Sequence, residues 1–214
     1  MSPVDLRGKR IVFCLPGYHY SGRFMINMLF LHDYLRDRGA IVRYEQHARA
    51  GLHAVRRACL RPSDDRKPFG GEPYDYMMWI DSDVVFGPDN FMKLVNHDKD
   101  IISGWHASQY ADMIATPVWE GLTFLFEHTV PIDIMESRTE PFKATGAGFG
   151  WCLIKQGVVE KMVWPWFGHK MVKIDGVQID PGEDIIFFLE AAGAGFQLWV
   201  DPTCRVGHEK TVVL

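Results

Sequence analysis

Two aspartates separated by one serine, Asp81-Ser82-Asp83, close the apolar run 76–80 in the stretch "YDYMMWIDSDVVFGPDNF". Like charges this close repel, and burying them is costly unless something positive sits beside them. The triplet therefore reads either as a solvated turn or as a site for a divalent cation. Oxygen ligands two residues apart suit Mn²⁺ or Mg²⁺, especially with a diphosphate as co-ligand, and such an ion removes the repulsion. Asp83, Asp81 and His208 form the candidate metal set. His208 follows Gly207 near a strand end, and imidazole suits Mn²⁺ better than Ca²⁺. The alternative for His208 is an ordinary packed or solvated histidine.

Glu183 and Asp184 follow Pro181-Gly182 and open a helix. Acids in a first turn complement the helix dipole, and one of them could also act as a general base toward a hydroxyl. Arg56 and Arg57 read either as the wet side of a helix or as one cation facing a diphosphate. Trp105, Tyr110 and Trp119 read as loop aromatics able to stack on a sugar or a base. The segment "TGAGFGW" (145–151) has the glycines of a dinucleotide fingerprint in the wrong place, because they precede an apolar run instead of opening a helix. Gly146 and Gly148 are instead expected to let an acceptor approach the backbone. No G-x-x-x-x-G-K-[ST] or G-x-S-x-G pattern occurs, which excludes a P-loop and a nucleophile elbow.

These residues need elements to hold them. "RIVFCL" (10–15) reads as a buried strand stopped by Pro16-Gly17, followed by a helix over 21–38 with Ser21 as N-cap and Gly39 as its stop. A strand over 40–46, a helix over 50–60, a loop over 61–75, the strand into Asp81, a helix near 88–95 and a strand over 100–105 follow. That β-α-β-α-β order argues for a parallel sheet covered by helices, with ligands at the carboxyl ends of its strands. The second half offers strand candidates at 121–126, 149–155 and 196–200, a short helix over 156–162, a loop over 168–181 and an amphipathic helix from Gly182.

The 214 residues suffice for one domain with a real core, and the formal charge of −4 supplies no global basic field for nucleic acid or an anionic membrane. The four cysteines form no CxxC pair, and Cys14 and Cys152 lie in apolar runs as small core residues. The polar start "MSPVDLRGKR" is unlike a signal peptide, and no apolar run reaches the roughly 18–20 residues of a membrane span. The expectation is a cytoplasmic protein in a reducing compartment.

Five segments in order resemble a compact glycosyltransferase of the GT-A fold, close to the family 2 type and to its short phage and bacterial versions. They are "HAVRRA", "YMMWIDSDVVFGPDNFMKLV", "KDIISGWH", "GAGFGWCLIKQGVVEKM" with "WPWF", and "GEDIIFFLEAAGAGFQLWVDPTCRVGH". The resemblance implies a single α/β domain with a mainly parallel central sheet, residues 1–104 holding the nucleotide and 105–214 the acceptor and catalytic parts. It implies Asp83 as the main metal ligand, Asp81 at the ribose or metal shell, and His208 completing the site. Asp184 would be the catalytic base with Glu183 beside it. Pro16, Gly17, Tyr18 and Ser82 would border a nucleotide sugar, UDP-linked by preference, and Arg56 would face its diphosphate. The chain departs from the pattern where Arg57 replaces the usual asparagine, and Glu45 is the nearest candidate for the acid that reads uracil.

The implied reaction is metal-dependent transfer of a sugar to a hydroxyl, with inversion. Two acceptor classes stand: a glycan or protein hydroxyl, or a 5-hydroxymethyl pyrimidine of phage DNA. The net charge counts against DNA, and the basic stretches "RRACLRP", "DDRK" and "GHKMVK" count for it. The competing readings are a nucleotidyltransferase and a non-catalytic nucleotide- or metal-binding module.

Overall fold

The computed structural model describes residues 4–107, 118–120, 129–174 and 176–210. Its centre is a seven-stranded sheet in the order β2-β1-β3-β7-β5-β10-β6. The chain-ordered strands are β1 (Arg10–Pro16), β2 (Ile41–His47), β3 (Tyr76–Ile80), the short β4 (Val84–Val85), β5 (Ile101–Trp105), β6 (Phe142–Ala144), β7 (Trp151–Lys155), the hairpin β8 (Val172–Ile174) and β9 (Val177–Ile179), β10 (Leu198–Arg205) and β11 (Gly207–His208). Helices are α1 (Gly22–Asp37), α2 (Leu52–Leu60), α3 (Pro88–Asn96), α4 (Ile132–Ser137) and α5 (Glu183–Gly193). Five sheet strands run one way and β7 and β6 run against them, so the sheet is mainly parallel but mixed.

Helices cover both faces, and the central strands are buried on both, which is why they read as unbroken apolar runs. On one face Phe13, Met78 and Leu153 pack under Phe24, Leu31 and Leu35 of α1 and Phe91 and Leu94 of α3. On the other, Cys14, Met77, Trp79 and Cys152 pack under Cys59 of α2 and Phe187 and Phe188 of α5. Side chains alternate along β3, so Met77 and Trp79 face α2 and α5. All four cysteines are free and buried. Ser21 caps α1 through its side chain, which accepts from the Phe24 N–H, and Gly39 follows the helix at φ +77°. No helix among the described residues is long and apolar enough to cross a membrane.

Several expectations need correction. The β-α-β-α-β pattern misses that β7 inserts antiparallel between β3 and β5; an apolar strand buried on both faces looks the same in either direction. The last long strand does not stop at 200. It continues through a register shift between Val200 and Arg205 that absorbs Pro202, as proline in a sheet requires. Trp105 is not a loop residue: it ends β5, is 1% exposed, and its Nε1–H donates to Pro202 O at 2.7 Å. The segment 168–181 contains the β8–β9 hairpin, and 156–162 holds only a 3₁₀ turn at Val159–Lys161. Tyr110 and the strand candidate at 121–126 lie outside the described residues.

The join between β5, β7 and β10 is tight at Gly104. A Cβ there would meet Cys204 O at 2.5 Å, Trp151 Cδ1 at 2.7 Å and Cys204 Sγ at 2.9 Å. Overpacking of this kind costs about 1–3 kcal/mol, so Gly104→Ala should lower Tm by roughly 2–12 °C in a chain of this size. Thermal unfolding checks it; an unchanged Tm would mean that the three strands do not meet this closely.

Candidate functional site

The site begins with the phase of β3. Continuing its alternation past Trp79 turns Asp81 toward the face that carries α2 and α5. There Arg56, at the middle of α2 and 1% exposed, reaches across: its Nη1 lies 3.2 Å from Asp81 Oδ1, and its Nε donates to Glu183 Oε1 at 3.2 Å. The guanidinium rests on aromatic rings, 5.1 Å from the Phe149 centroid and 5.8 Å from that of Trp79. Burial disfavours its charge, but Asp81, Asp184 and Glu183 outweigh burial and keep it protonated. The helix opening at Gly182 delivers Glu183 and Asp184 to the same place. Glu183 is spent on Arg56. Asp184 is pushed up to about 7, first by burial and then by the charge of Glu183, with Arg56 pulling the other way.

A second device brings the chain's far end to Asp83. β11 pairs antiparallel with β4, placing His208 opposite Val84, one residue after Asp83. His208 Nε2 donates to Asp83 Oδ2 at 2.9 Å, and Lys210 Nζ donates to the same oxygen at 2.8 Å. Burial raises the Asp83 pKa, yet Lys210 and His208 outweigh it and hold the carboxyl below its ordinary value. The His106 ring lies 4.2 Å from that of His208, and burial, then the charge of His208, drives His106 down to about 4, which keeps it neutral. Gly150 makes room for this crowd: a Cβ there would lie 3.2 Å from His106 Nε2 and 3.4 Å from Asp81 Oδ2.

Asp81, Ser82 and Asp83 form one wall of a cleft of about 450 Å³ at the carboxyl ends of β1 and β3. Pro16, Gly17 and Tyr18 form another, and Arg49, Leu52 and Val55 close the side toward α2. Gly17 approaches Ser82 so closely that a Cβ would lie 3.0 Å from the serine Cβ. Gln46 Nε2 donates to Gly17 O at 2.8 Å and fixes the loop.

As cation ligands, Asp83 and His208 present a carboxylate oxygen and an imidazole nitrogen at one point, and the other ring nitrogen of His208 is buried with no hydrogen-bond partner among the described residues. That pair fits a hard or borderline divalent ion. No group of three such side chains converges among the described residues, so phosphate oxygens or water would have to complete the shell, as is usual for Mg²⁺. Asp81 is held by Arg56.

Other candidates sit apart. Arg56 lies beneath the cleft with its charge committed to carboxylates. Glu45, 7% exposed in β2, faces Arg43, His47 and Arg61 at 4.0, 3.8 and 3.6 Å. Gly146 is buried in a bridge to Trp119, and Gly148 is half-buried. Sequence reasoning missed His106, Lys210 and Arg49 as site residues. The first directly follows the strand ending at Trp105 and the second lies two positions past His208, so the rule that ligands gather at strand ends could have flagged both.

No protein-family model and no curated protein matches the sequence. The fold is similar to the crystal structure of A197 from STIV, with a TM-score of 0.54 and 17% identity over 96% of each chain. It is also similar to that of GalNAc-T7 with UDP, GalNAc and Mn²⁺, with a TM-score of 0.53 and 14% identity over 97% of this chain and 45% of that one. At these identities the likeness is one of architecture, and the architecture is GT-A-like: a mixed, mainly parallel sheet flanked by helices.

Proposed function

We propose that this chain transfers a sugar from a nucleotide-sugar donor to an acceptor hydroxyl, with inversion, assisted by Mn²⁺ or Mg²⁺. The observation that carries the reading is a cleft of about 450 Å³ walled by Asp81 and Asp83 at one end of the sheet, joined through the Arg56 cluster to a carboxylic acid, Asp184, pushed up to about 7. GalNAc-T7, which shares the fold, was crystallised with UDP, GalNAc and Mn²⁺. Residues 1–104 supply the nucleotide half of a single domain and 105–214 the acceptor half.

Asp83 and His208 hold the divalent ion, which when bound neutralises charge on the departing nucleoside diphosphate. Pro16, Gly17, Tyr18 and Ser82 border the nucleotide, and exposed Arg49 at the cleft rim adds a cation for its phosphates. UDP is the preferred donor nucleotide. Glu45 reads no base in this arrangement, because its carboxylate faces its cationic neighbours. Asp184 takes the proton from the attacking hydroxyl, and Glu183 and Arg56 fix the helix turn that carries it. Gly146 and Gly148 lie on the acceptor side. Trp105 serves the core instead of the acceptor. A glycan or protein hydroxyl is the favoured acceptor over hydroxymethylated DNA. Of the basic stretch "RRACLRP", Arg56 is buried, and Arg61 pairs with Glu72 at 2.9 Å, leaving fewer cations for phosphates.

The reading predicts Mn²⁺-dependent release of nucleoside diphosphate from a nucleotide sugar, lost in Asp83→Asn. A nucleotidyltransferase would instead release pyrophosphate from a nucleoside triphosphate, and a binding module would release nothing. A coupled assay for nucleoside diphosphate over a panel of donor sugars decides among them; release that persists without metal, or in Asp83→Asn, contradicts the assignment.

Asp184 acts as a base only when ionised, so the transfer rate should rise with pH through about 7 and then level off. Asp184→Asn keeps the shape and removes the basicity, so transfer should fall by about 10²–10⁴-fold. Donor binding, measured by calorimetry, should hardly change. NMR of the product linkage completes the check: a retained anomeric configuration would remove Asp184 from the base role.

A further inference from the structure

We infer that Lys210 is a built-in counter-cation of the candidate metal site, one that competes with a divalent ion for Asp83. The inference rests on the proposal that Asp83 is a cation ligand and adds a residue that regulates its occupancy.

The geometry is specific. Asp83 Oδ2 receives Lys210 Nζ at 2.8 Å and His208 Nε2 at 2.9 Å. Two donors fill the lone-pair positions of that oxygen. A dication bound at this oxygen must replace one of the two donors, and one bound at the other carboxylate oxygen would still face an ammonium about one contact away. Arg56 cannot take over the neutralising task, because Asp81 and Glu183 occupy it.

The surroundings make Lys210 the mobile partner. The backbone before it is anchored: Glu209 N–H donates to Asp83 O at 2.7 Å, and the Glu209 carboxylate accepts from Ser21 Oγ at 2.5 Å. His208 is held by the β4–β11 pairing and is 14% exposed in its side chain. The Lys210 side chain is 45% exposed and reaches Asp83 with its ammonium, at the end of a flexible four-carbon stem. It can swing into solvent at little cost. Before the ion arrives it offsets the charge of Asp83; when the ion arrives, repulsion drives it out. Occupancy is thus set by competition between one tethered lysine and free dications.

Calorimetric titration of Mn²⁺ into the nucleotide-free chain tests this. Lys210→Met should bind Mn²⁺ about tenfold tighter than the parent, the effect of removing one nearby like charge in a partly solvated site, whereas Lys210→Arg should stay near the parent value. The gap should narrow as salt rises and screens the repulsion. Equal affinity in the parent and Lys210→Met overturns the inference. If Asp83→Asn still abolishes binding in that case, the metal reading stands without it. Mn²⁺ affinity that survives Asp83→Asn removes the metal reading and the inference together.

Discussion

The guanidinium of Arg56 lies out of water, between Asp81 at the end of β3 and Glu183 at the start of α5, the latter 127 residues further along the chain than Arg56, with aromatic rings beneath it. Taking a cation and its partners out of water is expensive, and the arrangement holds only if every charge is met. Asp81 and Glu183 meet it directly and Asp184 adds its field. Without the cation, three acids would crowd one corner with no positive charge among them. Without the acids, a buried guanidinium would stand alone. Each side is therefore tolerated only because of the other, and the strand end and the helix start are held in register by that mutual requirement. Lysine could not substitute, because it has no planar fork to serve two carboxylates at once.

From this constraint the division of labour follows. Asp81 and Glu183 are spent on Arg56, which leaves Asp83 and Asp184 as the carboxylates free for chemistry. They differ in the way the proposed reaction needs. Asp83 is held ionised by Lys210 and His208, fit to bind a cation. Asp184 is pushed to about 7, fit to exchange a proton near neutral pH. In the proposed reaction one acid would serve the leaving side and the other the attacking side, and their environments separate their pKa values in opposite directions.

How far all this is legible in the sequence depends on range. β3 and its two aspartates are legible because an apolar strand that runs straight into charge is unusual and because ligands gather at strand ends. α1 is legible from Ser21 and Gly39, whose local chemistry sets its ends. The antiparallel insertion of β7 is not, because Trp151–Lys155 looks identical in either direction, and its neighbours are chosen by packing with strands some 50 or more residues away. Trp105 misleads for a related reason: its indole N–H finds Pro202 only through a β10 bulge that no local signal announces. The pairing of β4 with β11 is equally silent, which hides Lys210 and His106 while leaving His208 visible as a lone histidine. Arg56 is read as either wet or ligand-facing, and the structure takes neither course: it buries the charge and pairs it internally.

The claim that Arg56 organises the carboxylates has a direct test in the pH dependence of stability. In the parent, Asp184 has a folded pKa of about 7, above the roughly 3.9 of an unfolded aspartate. Its contribution is therefore fully present below that unfolded value and is lost as pH rises through about 7. In Arg56→Met the cation is gone and the packing volume is kept, so Asp184 loses the charge that holds its pKa down and must rise further. Urea unfolding of both chains between pH 5 and pH 8 measures the gap in stability. The account predicts a deficit of about 3–5 kcal/mol near pH 8, the usual cost of breaking a buried ion pair. It also predicts that the deficit shrinks by more than about 1 kcal/mol toward pH 5, where Asp184 is protonated in both chains. A deficit that stays constant across this range would contradict the account.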